Sequence, residues 1–206
     1  MKYIKYIVIL FFVLQIQAQK TTNKSFSAAG ISTLVIDGSS IFKISIETTK
    51  TQNISIESFV EGENYEHVVL LAETRDNQLH VSSVYQPLFV AANDKLSVHK
   101  LISIELTIRI PEHLDVIITS NIASVFMSGN FNQVTTELIN GSFNSKNFQG
   151  NLLVNTIHGD IHVASKRAKV QASSKHGTIE QEILTQGDKQ IVLNSINGNI
   201  TVSKIE

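Results

Sequence analysis

The sequence predicts an all-β chain whose second half, residues 112–206, is a parallel β-solenoid of about five coils of 18–21 residues. Three observations carry that expectation. A short phrase recurs around a glycine: Ile139-Asn140-Gly141-Ser142-Phe143, Ile157-His158-Gly159-Asp160-Ile161, Lys175-His176-Gly177-Thr178-Ile179 and Ile196-Asn197-Gly198-Asn199-Ile200. These glycines lie 18, 18 and 21 residues apart, and a further step of 18 back reaches Ala123 in a degenerate copy, Asn121-Ile122-Ala123-Ser124-Val125. Apolar residues keep phase with the period, Val116, Val134, Leu152 and Val170 making one column and Val125, Phe143, Ile161, Ile179 and Ile200 another.

Strict alternation sends one set of side chains inward and the other into water. Successive coils then stack about 4.8 Å apart, each covering the apolar rim of its neighbour, so that no coil stands alone. The expected role of the glycines is a positive φ or a tight bend at the corner. The longer last interval predicts an outward bump at Thr185-Gln186-Gly187-Asp188.

Residues 1–18 read as a secretory signal. Lys2 and Lys5 open it, Ile7 to Leu14 form its apolar stretch, and Ile16-Gln17-Ala18 suits cleavage before Gln19. That stretch is shorter than the ~20 residues a membrane span needs. The chain has no cysteine, so disulfides contribute nothing to its stability. Cleavage leaves 15 basic against 18 acidic side chains, a net of −3. With no basic stripe, nucleic-acid binding is excluded as an expectation. No membrane span is expected after cleavage.

Residues 19–111 are expected to form an irregular antiparallel or wider β region, continuous with the coils. Thr21 to Ser27 reads as a loose polar leader. Leu34-Val35-Ile36 is a strand ending at Asp37-Gly38. Ile44-Ser45-Ile46-Glu47 and Ile54-Ser55-Ile56-Glu57, ten residues apart, suit a hairpin or a single corner. His67 to Ala72 and Gln78 to Ser82 flank an Asp76-Asn77 turn, and Gln86 to Asp94, with Pro87, reads as a longer loop. Ile102, Ile104, Leu106, Ile108 and Ile110 share one face of the strongest alternation in the chain, which Pro111 ends. Full burial of such side chains is worth about 1.5–3 kcal/mol each, so this strand is expected to be central and to lead into the first coil at Leu114 to Thr119. No helix is expected outside the signal.

The Ile-rich strand closed by Ile110-Pro111, followed by coils marked His158-Gly159-Asp160-Ile161-His162-Val163 and Asn197-Gly198-Asn199-Ile200-Thr201-Val202, resembles a bacterial "putative adhesin" domain of unknown function. It is also similar to the head domain of "putative autotransporter adhesins". The resemblance covers about Phe26 to Glu206. It implies an exported, right-handed β-helix with no assigned catalytic residues. The sequence departs from the pattern at Ile122-Ala123, where glycine is missing, and at Gln181, a polar residue at an inward position.

Three clusters are candidates for chemistry. Asn140, His158, His176 and Asn197 share a turn column, where two imidazoles about 5 Å apart could hold a metal. A polar turn ladder is the preferred reading. Asp160, His162 and Glu180 fall on neighbouring outward positions, as acid–base chemistry or a metal would need. A cross-strand pair of His162 with Glu180, worth about 0.2–1 kcal/mol, is preferred there. Glu61, Glu63 and Glu66 around Gly62 read as solvated loop charges rather than a calcium site. No catalytic, cofactor-binding or metal residue is therefore assigned, and no cofactor is expected.

The leading expectation is a non-enzymatic protein of the periplasm, cell envelope or extracellular space, with a structural or adhesion-like role toward a glycan or protein partner. The alternative is a carbohydrate-binding or polysaccharide-active β-helix. Against it, Glu137, Asp160, Glu180, Glu182, Asp188 and Glu206 are the only acids from Val116 on, and Trp is absent. The final strand is expected to leave an open C-terminal edge, with weak self-association through it unless Lys189, Lys204 and Glu206 guard it.

Overall fold

The computed structural model describes residues 19–62, 65–86 and 102–205. Residues 1–18, expected to be a secretory signal, the loop expected beyond Gln86, Glu63 and Glu206 lie outside the described residues. Among the described residues the chain is all-β, with a single turn of 3-10 helix at Tyr65–His67. No described helix is long and apolar enough to cross a membrane.

The strands make one mixed sheet of two ladders. Both ladders share two long strands, β9 (Ser124–Asn140) and β10 (Phe143–His158), which run through a corner. In order, the first ladder is β1 (Gln19–Ser27), β4 (Asn53–Gly62), β7 (Ile102–Pro111), β3 (Lys43–Thr49), the starts of β9 and β10, β11 (Ile161–Ser165), β15 (Ile200–Lys204) and β13 (Ile179–Gln181). The second is β5 (Val68–Arg75), β6 (Gln78–Tyr85), β2 (Thr33–Asp37), β8 (Asp115–Ser120), the ends of β9 and β10, β14 (Thr185–Ser195) and β12 (Arg167–Ser174). Pairing is antiparallel for β1–β4, β4–β7 and β5–β6, and parallel elsewhere. Inward side chains of the two ladders, such as Ile44, Leu106 and Phe143 from one and Leu34, Val116 and Leu193 from the other, belong to one core.

β7 is central, between β4 and β3, and Ile104, Leu106, Ile108 and Ile110 are buried. Its position corrects the hairpin expected of the two Ile-Ser-Ile-Glu segments, because the long alternating strand supplies each with a better apolar partner than the other. Residues 21–27 are not a loose leader but part of β1, paired with β4 along its whole length. Phe26, Lys24 and Thr22 alternate inward, opposite Ile54, Ile56 and Ser58, so a polar composition still satisfies the two-residue period. The Asp76-Asn77 turn joins β5 to β6 with both residues at positive φ, as a tight hairpin of right-handed strands requires.

The 18-residue register holds across β8, β9, β10 and β11: Val116 faces Val134, Val134 faces Leu152, Val125 faces Phe143, and Phe143 faces Ile161. The next step differs. Leu152 pairs with Ile191, not Val170, and Ile161 pairs with Ile200, not Ile179. The final turn of chain is inserted between its two predecessors, so the final strand β15, expected to be the open edge, is paired on both flanks, and β12 and β13 lie outermost instead. The side chains give the reason. The inserted turn faces inward with Ile191, Leu193, Ile200 and Val202, all buried, whereas the outer turn offers Val170, Ala172, Ile179 and Gln181. Burying the Gln181 amide without partners would cost more than leaving it at the edge.

The corner glycines are also explained differently from the expectation. Gly141, Gly159, Gly177 and Gly198 are absent from the positive-φ residues. A Cβ on each would collide with the carbonyl of the residue stacked beneath it: Ala123 for Gly141, Gly141 for Gly159, Gly159 for Gly198 and Gly198 for Gly177. Ala123 holds the same place one turn earlier, where its carbonyl lies against Gly141. The three extra residues of the last interval fall at the expected bump, where the partner offset of β12 and β14 changes between Arg167 and Lys169. The opposite corner is filled by the stacked rings of Phe131 and Phe148, 5.4 Å apart.

Candidate functional site

A groove of about 460 Å³ runs across the outside of the glycine corner. Its origin is the alternation itself. Ser120, Leu138, Thr156 and Ser195 stack in one buried column. The outward residues before them form a polar wall of Thr119, Glu137, Asn155 and Asn194, and those after them form a ridge of Ile139, Ile157 and Ile196. The ridge isoleucines remain 38–42% exposed although they stand in file, which separates them from the scattered apolar residues of an ordinary surface.

The wall is held in place by hydrogen bonds. Asn194 Nδ2 donates to Asn155 Oδ1 at 2.9 Å. Beneath it, Gly198 N donates to Ser195 Oγ at 2.8 Å, and Gly177 N to Ser174 Oγ at 2.9 Å. Ser174 Oγ donates in turn to Gly198 O, and Thr156 Oγ1 to Gly159 O. Each hydroxyl satisfies a corner backbone group, and those of Thr156 and Ser195 fix the backbone that carries the exposed Ile157 and Ile196, whereas Ser174 is followed by Lys175. The Ser/Thr-x-x-Gly spacing is visible in the sequence at Thr156, Ser174 and Ser195. So is the isoleucine opening three of the four recurrent phrases. Neither feature matches a catalytic or metal-ligating pattern, so neither points to function in the sequence alone.

The inserted turn separates the clusters predicted from sequence. His162 neighbours Thr201, and Thr201 neighbours Glu180. His162 and Glu180 are therefore two strand spacings apart, about 9–10 Å, too far for a cross-strand pair. Asp160 Oδ1 accepts the Asn199 amide at 2.7 Å and serves the turn. His158 Nδ1 accepts from Asn197 Nδ2 at 3.0 Å, which puts an asparagine between the imidazoles of His158 and His176. Asn140 stays beside His158. At the acidic loop Glu66 lies 3.6 Å from His67, and Glu61 pairs along β4. Among the described residues no group of three or more His, Asp or Glu could hold a metal. The groove wall carries one carboxylate, Glu137.

No family model matches the chain, and no curated protein matches it in sequence. Its fold is similar to that of a solved "putative cell adhesion protein" from Clostridium sporogenes, with 14% identity, a TM-score of 0.63, and 91% of this chain and 100% of that one covered. A "putative adhesin" from Bacteroides fragilis aligns over 90% of this chain and 97% of its own at 13% identity, with a TM-score of 0.39 that carries no argument. At such identity the first similarity establishes a shared fold and leaves the activity open.

Proposed function

We propose that the chain is an exported, non-enzymatic contact protein with an adhesin-like role, its parallel half a right-handed β-solenoid that serves as a rigid scaffold for the groove. The observation that carries this reading is the file of Ile139, Ile157 and Ile196 beside the Asn155–Asn194 amide pair. Aliphatic surface with a few fixed amides suits recognition, where apolar area supplies affinity and oriented polar groups supply selectivity. It does not suit hydrolysis, which needs paired acids or a base beside a nucleophile. Export is supported by the sequence at residues 1–18, and the fold shared with the clostridial protein is compatible with a surface role.

A carbohydrate ligand is the second reading, favoured by the amide pair, which presents a donor and an acceptor side by side at the wall. Binding of residues 19–206 to a glycan array and to immobilised extracellular proteins distinguishes the two. Saturable retention that is lost in Ile157→Asp supports the groove, and the class of retained ligand selects the reading. Catalytic turnover of any polysaccharide on the array would overturn the non-enzymatic assignment.

A further inference from the structure

We infer that the open coil formed by β12 and β13 is the seat of a second copy of this chain, joined about a two-fold axis. The inference is independent of the groove, which lies on the side of the stack rather than its end. Among the described residues each of these strands is paired on one flank only, β12 with β14 and β13 with β15. Their free flanks present unpaired backbone donors and acceptors at the same end of the molecule. The apolar columns stop there uncovered: Ile161 and Ile200 are fully buried, but Ile179 in the same file is 44% exposed, and Ile183 beyond it is 89% exposed.

What identifies the occupant is the sequence of the two edges. Outward on β12 stand Arg167 and Lys169; outward on β13 and just after it stand Glu180 and Glu182. Arg167, Lys169 and Glu180 form no ion pair among the described residues. In an antiparallel pairing of β12 with β13 of another copy, the register that sets Val170 against Ile179 also sets Lys169 against Glu180 and Arg167 against Glu182. On the inner face Val170 meets Ile179 and Ala168 meets Gln181, and on the outer face cation meets anion, with the two-residue period kept throughout. A two-fold axis between the ladders makes the same match a second time, β13 against β12, and closes the assembly at two chains. Pairing β12 with itself would leave Arg167 and Lys169 facing only each other, Gln171 or Ser173, with no anion along the seam, and pairing β13 with itself would oppose Glu180 to Glu180 or Glu182.

Sedimentation equilibrium of residues 19–206 tests this with two charge reversals, Lys169→Glu and Glu180→Lys. Both lie at exposed positions, and circular dichroism confirms that each variant is folded. The wild type is expected to dimerise, and each variant alone to self-associate at least tenfold more weakly. An equimolar mixture of the two is expected to recover the dimer, because one chain then carries only anions and the other only cations at the two matched positions. A wild type that stays monomeric to millimolar concentration overturns the inference. So does a dimer indifferent to either reversal, or a mixture that fails to recover.

Discussion

At one end of the sheet the free strands are β1 and β5; at the other they are β12 and β13. The first pair is sealed within the chain. Lys20 Nζ donates to Val68 O at 3.0 Å and Lys24 Nζ to Leu70 O at 2.8 Å, so inward lysines of one edge strand satisfy carbonyls of the other. Among the described residues the second pair has no such seal. Its edges carry complementary charges on their outer faces and exposed aliphatic residues on their inner faces. An inward lysine excludes a further strand, because adding one would bury the charge. An inward isoleucine does the opposite. The two ends show that edge chemistry, rather than edge length, decides whether a ladder terminates or recruits.

The largest expected effect comes from removing the inserted turn. Truncation to residues 19–187 deletes the buried Ile191, Leu193, Ile200 and Val202. At about 1.5–3 kcal/mol each, their loss approaches the whole stability of a typical domain. Residues 167–183 would then have no neighbour to pair with, so hydrogen exchange across them is expected to lose protection. Retained protection there would mean that the outer turn can dock directly on β10 and β11.

The next effect compares the middle of the glycine column with its end. Gly159→Ala places a methyl group against the Gly141 carbonyl inside the stack, and a cost near the top of the usual 1–3 kcal/mol for overpacking, about 3 kcal/mol, is expected. Gly177→Ala makes the same collision with Gly198, but its strand is free on one flank and can shift, so about 1 kcal/mol is expected. Urea midpoints of the two variants measure the difference.

At the sealed end, Lys20→Ala with Lys24→Ala removes the donors to β5. A loss of about 1–2 kcal/mol is expected, below the full value of charged hydrogen bonds because the site is only partly buried. Amide exchange along β5 is expected to accelerate while β12 is unaffected. The smallest effect belongs to the open end: Ile183→Ser, at 89% exposure, should change the stability of the isolated chain by less than about 0.5 kcal/mol. A thermal melt at low concentration checks it.

Much of the core was legible in the sequence because period and alternation are local. Ile104 to Ile110 marked the central strand, and the columns through Val116, Val134 and Leu152 and through Val125, Phe143 and Ile161 were read correctly. The groove was less legible. Its isoleucines stand in the recurrent phrase, but their exposure depends on the corner geometry that the Ser and Thr hydroxyls fix. β1 was missed because its polar residues hide an inward–outward period that only β4 reveals. The candidate clusters around His162 and His176 failed together, since both assumed that sequence order is stacking order.

By itself, then, the sequence determined the 18-residue register of β8 to β11, its inward face, the glycine corner and the place of the three-residue bump. Tertiary structure alone decided the order of the last two turns of chain. Ile179 and Ile200 share one phase and fit beside Ile161 equally well as strands, so periodicity cannot choose between them. The choice falls to burial, which draws in the turn with Leu193 and Val202 and leaves Gln181 at the rim, and that choice fixes which edge the molecule leaves open.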